Sequence, residues 1–144
     1  MKKFLLLLLL SAPTLIFSEN NPTIRNPKSE IRNPQGPGLD AIKTALGAGN
    51  VDELLKFIGE SVEISISDKE QVYSKTQAGD ALRSFFGQNK PKSFAQMHQG
   101  SSRENSDQYC IGNLATGGAT WRVYIYLKTG TTQAQIREIR FDKE

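Results

Sequence analysis

Apolar and polar residues alternate most regularly in the last third of the chain. Successive side chains of a β-strand point to opposite faces of a sheet, so every second residue shares a face. One face of the strand predicted here is apolar: Trp121, Val123, Ile125 and Leu127. The opposite face combines cations with tyrosines: Arg122, Tyr124, Tyr126 and Lys128. The pattern predicts a strand with one buried face and one amphipathic face that suits a contact surface.

The next run alternates with one slipped step. Its apolar residues fall in two phases: Ala134 and Ile136 in one, Ile139 and Phe141 in the other. A strict two-residue repeat would expose half of these groups to water. One extra residue at Arg137 or Glu138, a β-bulge, places all four on one face and bends the strand. The two runs therefore predict a bent antiparallel hairpin, the wall of a curved sheet.

Helical spacing appears twice soon after residue 38. A first short helix has one apolar face and ends at Gly47 or Gly49: Leu39, Ile42 and Leu46. Asn50 then offers an N-cap, with Glu53 three residues later. The stripe of a second helix follows: Val51, Leu54, Leu55 and Ile58. Gly59 is expected to close this second helix.

A third helix is predicted after residue 73. Ser74 and Gln77 form a capping pair, and Gly87 and Pro91 stop the helix. Its apolar face has helical periodicity: Ala78, Ala81, Leu82, Phe85 and Phe86.

Strands are predicted on both sides of this third helix. Val62, Ile64 and Ile66 alternate with polar residues, and a turn over 68–70 leads to a short strand at 71–73. A weaker strand over 94–99 has two sides: Phe94, Gln96 and His98 against Ala95, Met97 and Gln99. A polar turn over 100–107 leads to a strand at 109–116, which a Gly117-Gly118 hairpin joins to the run described first. The order is helix, helix, strand, strand, helix and a four-strand meander, an α+β domain.

The first 38 residues have a different composition. Lys2 and Lys3 precede an apolar run and then small residues, so residues 1–18 are expected to be a signal peptide cleaved after Ser18. The run is shorter than the roughly 20 residues that span a bilayer, and Pro13 interrupts it, so no membrane span is expected after cleavage. Residues 19–38 form a proline-spaced linker in which Ile-Arg-Asn-Pro recurs after seven residues, either a flexible tether or a motif read by a partner. We expect export to the periplasm or cell exterior, with one domain over 39–144.

Charge and cysteine content narrow the function classes. The chain has 18 Lys and Arg residues against 15 Asp and Glu, and two of the lysines lie in the leader, so the mature chain is close to neutral. No basic stripe is present, so nucleic-acid binding is not expected. Cys110 is the only cysteine, so no disulfide can form within the chain, and a buried structural thiol is predicted.

Short motifs spread along the domain carry a resemblance to a known family: Tyr73-Ser74-Lys75, Phe85-Phe86, Pro91-Lys92-Ser93-Phe94, Gly100-Ser101-Ser102, Tyr109-Cys110-Ile111-Gly112, Trp121-Arg122-Val123-Tyr124 and Ile136-Arg137-Glu138-Ile139-Arg140. They resemble small exported bacterial proteins grouped as domain of unknown function 4783. The element order over residues 38–142 likewise resembles the nuclear transport factor 2-like, or cystatin-like, cone. The resemblance implies two to three helices packed on a strongly bent mixed or antiparallel sheet. It implies no chemistry, because that fold hosts enzymes, ligand carriers and association modules.

Candidate chemistry is sparse. His98, the single histidine, has a titration range that suits a general base, but a lone strand histidine is more often structural. One histidine and one cysteine on different strands lack the further ligands of a metal site, so no metal or cofactor is expected. The candidate contact residues for a ligand or partner are Arg122, Tyr124, Tyr126 and His98. The alternative is that the two tyrosines pack beneath the third helix or against neighbouring strands.

These observations favour a non-catalytic binding module. The expected partner is a small apolar ligand inside the cone or a protein, including a second copy, bound through the sheet. The alternative is a ketosteroid isomerase-like or dehydratase-like enzyme, which requires an acid or base inside the cone. A cone filled by Phe85, Phe86 and Trp121 would favour association over both pocket functions.

Overall fold

Three helices and six strands make up the computed structural model, which describes residues 37–102, 107–129 and 133–144. The helices are α1 Pro37–Ala48, α2 Val51–Leu55 and α3 Lys75–Gln88. The strands are β1 Ile58–Ile66, β2 Lys69–Ser74, β3 Pro91–Ser101, β4 Gln108–Thr116, β5 Thr120–Lys128 and β6 Gln135–Lys143. The predicted signal peptide and all but the end of the predicted linker lie outside the described residues. Within the described ranges, no helix has the length and apolar character needed to cross a membrane.

All six strands belong to one mixed sheet in the order β2-β1-β6-β5-β4-β3. The predicted meander from β3 to β6 is antiparallel throughout, and β1 also pairs antiparallel with β2. β1 and β6 run parallel. β6, the last strand of the meander, therefore joins the meander to the β1–β2 pair of the first half of the domain. This mixed α+β architecture agrees with the fold class predicted from the sequence.

The first two helices follow the predicted caps, but α2 is shorter than predicted. Gly49 has a φ of 64°, the left-handed conformation that suits glycine after a helix. The Glu53 N–H donates to Asn50 Oδ1 at 3.2 Å, as the cap predicts. The helix ends at Leu55, however, and Ile58 pairs with Ile136 of β6 as the first residue of β1. Extending the helix to Gly59 was wrong because pairing with a strand distant in sequence outweighs the helical spacing of Ile58.

The capping box predicted for α3 is present. The Gln77 N–H donates to Ser74 Oγ at 3.4 Å, and the Ser74 N–H donates to Gln77 Oε1 at 3.1 Å. The helix runs one residue past Gly87, and the Asn89 N–H closes it by donating to the Phe85 carbonyl at 2.9 Å.

The slipped phase in β6 is a β-bulge, as predicted. Leu127 pairs with Ile136 and Tyr126 pairs with Glu138, so Arg137 is the extra residue. Ile136, Ile139 and Phe141 are consequently all buried on one face of the sheet.

A second bulge, which the sequence pattern did not predict, lies in β3. Gln96 pairs with Gly112 whereas His98 pairs with Ile111, so Met97 is the extra residue. His98 therefore leaves the face of Phe94 and Gln96, and the prediction that these three share one side was wrong. The strict two-residue period fails at Met97 because a bulge inverts the phase of every residue beyond it.

The helices cover one face of the sheet, called the inner face, with α1 against β3 and β4 and α3 against β1 and β2. An aromatic cluster fills the space beneath α3: Phe85, Phe86, Trp121 and Phe141. The Phe85 ring centroid lies 5.4 Å from Phe86, 5.0 Å from Trp121 and 4.2 Å from Phe141. Cys110 is also buried on this face, and burial raises the pKa of its thiol. This agrees with the structural role predicted for Cys110.

Candidate functional site: the outer face of the sheet

The sheet face that points away from the helices, called the outer face, contains all four candidate contact residues. The strand registers place these residues on it: Glu63, Glu70, Val72, His98, Tyr109, Ile111, Arg122, Tyr124, Tyr126, Glu138 and Arg140. Two of the three large apolar side chains most exposed among the described residues belong to it, Val72 at 64% and Tyr109 at 37%.

Strand pairing places His98 and Tyr124 in one row across the outer face. His98 pairs with Ile111, which in turn pairs with Tyr124. Tyr124 pairs with Arg140, Arg140 with Ser65, and Ser65 with Glu70 at the other edge. The bulge at Met97 is what brings the histidine into this row. Arg122 and Tyr126 lie in the neighbouring rows, one on each side.

The central feature of the outer face is a stacked pair of tyrosines. The ring centroids of Tyr109 and Tyr124 are 6.4 Å apart, with planes inclined by 23°. Tyr109 also lies flat over Gly100, where an added Cβ would come within 2.5 Å of its ring. Burial raises the pKa of the Tyr124 phenol, and the nearby Glu138 carboxylate raises it further. The pair forms a broad aromatic surface at the middle of the sheet.

Tyr126 is held by a carboxylate from the loop before β4. Its Oη donates to Asp107 Oδ2 at 2.8 Å, and the Thr129 N–H donates to Asp107 Oδ1 at 3.2 Å. Asp107 is buried, and its hydrogen bond raises the pKa of Tyr126. The sequence pattern did not indicate a role for Asp107, because this residue lies in a polar turn and its partner Tyr126 is 19 residues away.

Charges are distributed unevenly over the outer face. Arg140 Nε donates to Glu138 Oε1, and this hydrogen bond raises the pKa of the guanidinium. Burial raises the pKa of Glu63, and the Glu70 and Glu138 carboxylates add to that effect. The β2, β1 and β6 side is therefore rich in carboxylates, whereas the β5, β4 and β3 side carries Arg122 and His98 beside the tyrosines.

The outer face has the features of a contact surface. In the ranges that the structure describes, no three His, Cys, Asp or Glu side chains are arranged to hold a metal ion. The one buried carboxylate among them, Asp107, accepts hydrogen bonds through both of its oxygens. The arrangement can supply stacking, cation–π and hydrogen-bonding contacts to a macromolecular surface.

Comparisons with known proteins agree on one family. A family model described as "Domain of unknown function (DUF4783)" matches residues 39–142. A DUF4783 family protein from Bacteroides ovatus is 34% identical, with a TM-score of 0.68, and the match covers 72% of this chain and 93% of that one. A second, from Bacteroides uniformis, is 30% identical with a TM-score of 0.68, over 73% and 95% of the two chains.

A more distant structure agrees with the fold alone. An NTF-2 like protein of unknown function from Burkholderia xenovorans is 15% identical with a TM-score of 0.55, over 74% of this chain and 81% of that one. The search of curated proteins gave no match.

Proposed function

The chain belongs to the DUF4783 family and has a nuclear transport factor 2-like fold, and on this premise we propose that it is a non-catalytic binding module that pairs with a second copy of itself through the outer face. One observation carries the proposal. The side chains of the inner face fill the space beneath α3, whereas the aromatic outer face carries exposed apolar groups. The predicted signal peptide supports placing this module in the periplasm or outside the cell.

The filled interior supports association over ligand burial in the cone. Phe85 lies between Trp121, Phe86 and Phe141, and each of these four side chains is at most 7% exposed. An isomerase-like or dehydratase-like enzyme would need an acid or base in that interior. No observation on the described residues favours that alternative.

The dimensions of the outer face suit a stable pair. Five of the six strands have nine residues or more and β2 has six. With about 4.8 Å of width for each strand, the face measures roughly 29 Å by 30 Å. A standard interface buries about 800 Å² on each partner. The face therefore offers enough area for a specific dimer.

The row that contains Tyr124 is self-complementary. A two-fold axis parallel to the strands, between β5 and β6, would set Tyr124 against Arg140 of the second copy. An arginine over a tyrosine ring gains a cation–π contact. The same axis would set Glu70 at one edge against the second copy's His98. The row thus combines a central aromatic contact with complementary polar groups at its ends.

Mass measurements test this proposal. In light scattering at micromolar concentration, the native protein should have twice the mass of one chain. Tyr124→Lys should reduce it to one chain, with an unchanged circular dichroism spectrum, because the new cation would face Arg140 of the second copy. Thr76→Lys, which adds the same charge on the exposed surface of α3, should keep the doubled mass. A single-chain mass for the native protein, or a doubled mass for Tyr124→Lys, would refute the proposal.

An exchange of side chains tests the orientation of the pair. Glu70→His alone and His98→Glu alone should each weaken dimerisation roughly tenfold, and the double variant should restore it, because the two groups would face each other again. Additive losses in the double variant would exclude this two-fold arrangement.

A further inference from the structure

One row away from Tyr124, the outer face carries two opposite charges on neighbouring strands. Arg122 of β5 pairs with Asp142 of β6, so both side chains belong to the outer face, and both residues are exposed. Arg122 Nη2 donates to Glu144 Oε1. Asp142, in contrast, forms no ion pair with a described residue. The surface therefore presents a carboxylate that no cation of its own chain holds.

The two-fold pairing proposed above brings this carboxylate opposite a cation. An axis parallel to the strands, between β5 and β6, sets each β5 residue against its β6 strand partner from the second copy. Asp142 of the second copy would then face Arg122, and the symmetry would repeat this contact with the two copies exchanged. Because β5 and β6 flank the axis, contacts between them change least with the angle at which two packed sheets cross.

The row on the other side of Tyr124 does not offer such a contact. The same axis would set Tyr126 against Glu138 of the second copy. Tyr126 already donates its phenol proton to Asp107, and Glu138 already accepts from Arg140. Among the β5 residues of the outer face and their β6 strand partners, Arg122 and Asp142 are therefore the pair that can gain an ionic contact from a second copy.

The ion pair with Glu144 leaves the Arg122 guanidinium able to bind a second carboxylate. A guanidinium has five N–H donors, and the hydrogen bond to Glu144 uses Nη2. This hydrogen bond also holds the side chain in one direction. A side chain that is already ordered loses less conformational entropy when an interface forms.

We propose that Arg122 and Asp142 select the binding partner of the outer face. They favour a surface with a carboxylate opposite Arg122 and a cation opposite Asp142, as a second copy of this chain presents. This inference rests on the proposed pairing through the outer face, and it assigns the choice of partner to the order of charges on β5 and β6. Reversing one charge replaces attraction by repulsion at two places, because the symmetry repeats the contact.

Complementary charge reversals test this selection. Arg122→Asp should raise the dissociation constant of the dimer about tenfold or more, because carboxylates would face each other at both contacts. Asp142→Arg should raise it less, because the new cation would also lie near Glu144 of the second copy. A mixture of the two variants should form a mixed dimer with close to native affinity, because each contact again joins opposite charges. Sedimentation velocity measures the affinities, and native mass spectrometry identifies the mixed dimer.

The matched control reverses a charge in an exposed ion pair on the helices. Arg83 Nη2 lies 2.7 Å from Asp52 Oδ1, between α3 and α2. Arg83→Asp should leave the dissociation constant unchanged, and all three variants should keep the native circular dichroism spectrum. A single-chain mass for the native protein would overturn the pairing and this inference together. A native dimer whose affinity is unchanged by Arg122→Asp, or variants that gain no affinity on mixing, would overturn the selection alone.

Discussion

The two faces of β5 belong to one nine-residue strand, but they are packed very differently. The inner side chains are all buried: Trp121, Val123, Ile125 and Leu127. On the outer face, Tyr124 and Tyr126 are half-buried and Arg122 is exposed. Inner positions are constrained from every direction by close packing, whereas outer positions have room to adjust. The comparison indicates that stability is concentrated on the inner face.

Removing an inner aromatic ring should produce the largest difference between the faces. Phe85→Ala should lower the free energy of unfolding by about 3–5 kcal/mol, because it leaves a cavity among three other aromatic rings. Tyr124→Ala, on the outer face, should lower it by less than about 1 kcal/mol when measured on monomeric protein. Urea unfolding measures both values. Equal losses would show that the outer face is packed like the core.

Two glycines, Gly112 on the inner face and Gly100 on the outer face, allow the packing of the two faces to be compared at single positions. A Cβ on Gly112 would lie 2.4 Å from the Phe94 ring and 2.6 Å from the Ala95 carbonyl oxygen, on the inner face. Because that backbone oxygen cannot move away, Gly112→Ala should destabilise the domain by about 2–3 kcal/mol.

The outer-face counterpart is Gly100, where the three atoms nearest to an added Cβ all belong to the Tyr109 side chain. That ring can rotate towards solvent, so Gly100→Ala should lower the free energy of unfolding by less than about 1 kcal/mol. Gly118→Ala is the control, since nothing lies within 4 Å of its Cβ position. A larger loss at Gly100 than at Gly112 would contradict the comparison.

The smallest expected effect concerns the polar contact on the outer face. The hydrogen bond to Asp107 raises the pKa of Tyr126 in the folded protein. This contribution to stability is complete below the ordinary pKa of tyrosine, about 10, and disappears as pH rises through the higher folded value. Tyr126→Phe should therefore make stability less dependent on pH above about 10.

Asp107→Asn should have the same effect, because it removes the carboxylate that keeps the phenol protonated. Thermal unfolding from pH 8 to 11 measures the dependence. If stability falls as steeply at alkaline pH in both variants as in the native protein, the contact between Tyr126 and Asp107 does not contribute to the stability of the fold.

Local patterns predicted much of the fold. The alternation in β5, the extra residue at Arg137 and the caps at Asn50 and Ser74 depend on neighbours within a few positions, so the sequence alone indicates them. Such local patterns did not predict where α2 ends. The conformation of Ile58 is determined by its pairing with Ile136, 78 positions further along the chain.

The candidate site was predicted less completely. Alternation placed Arg122, Tyr124 and Tyr126 on one face. The residues around Met97 do not indicate a bulge, so His98 was predicted on the wrong face of its strand. The contacts of Tyr126 with Asp107 and of Tyr109 with Tyr124 join separate strands and loops. Residue spacing says nothing about which of these side chains meet.

The position of β6 has a consequence for folding. This strand follows all the other strands of the described chain, but it occupies the interior of the sheet, with β1 on one side and β5 on the other. Until β6 pairs, β1 and β5 each have an open edge. Such edges are prone to pair with other chains. We expect a chain truncated before β6 to aggregate, whereas the complete domain should not.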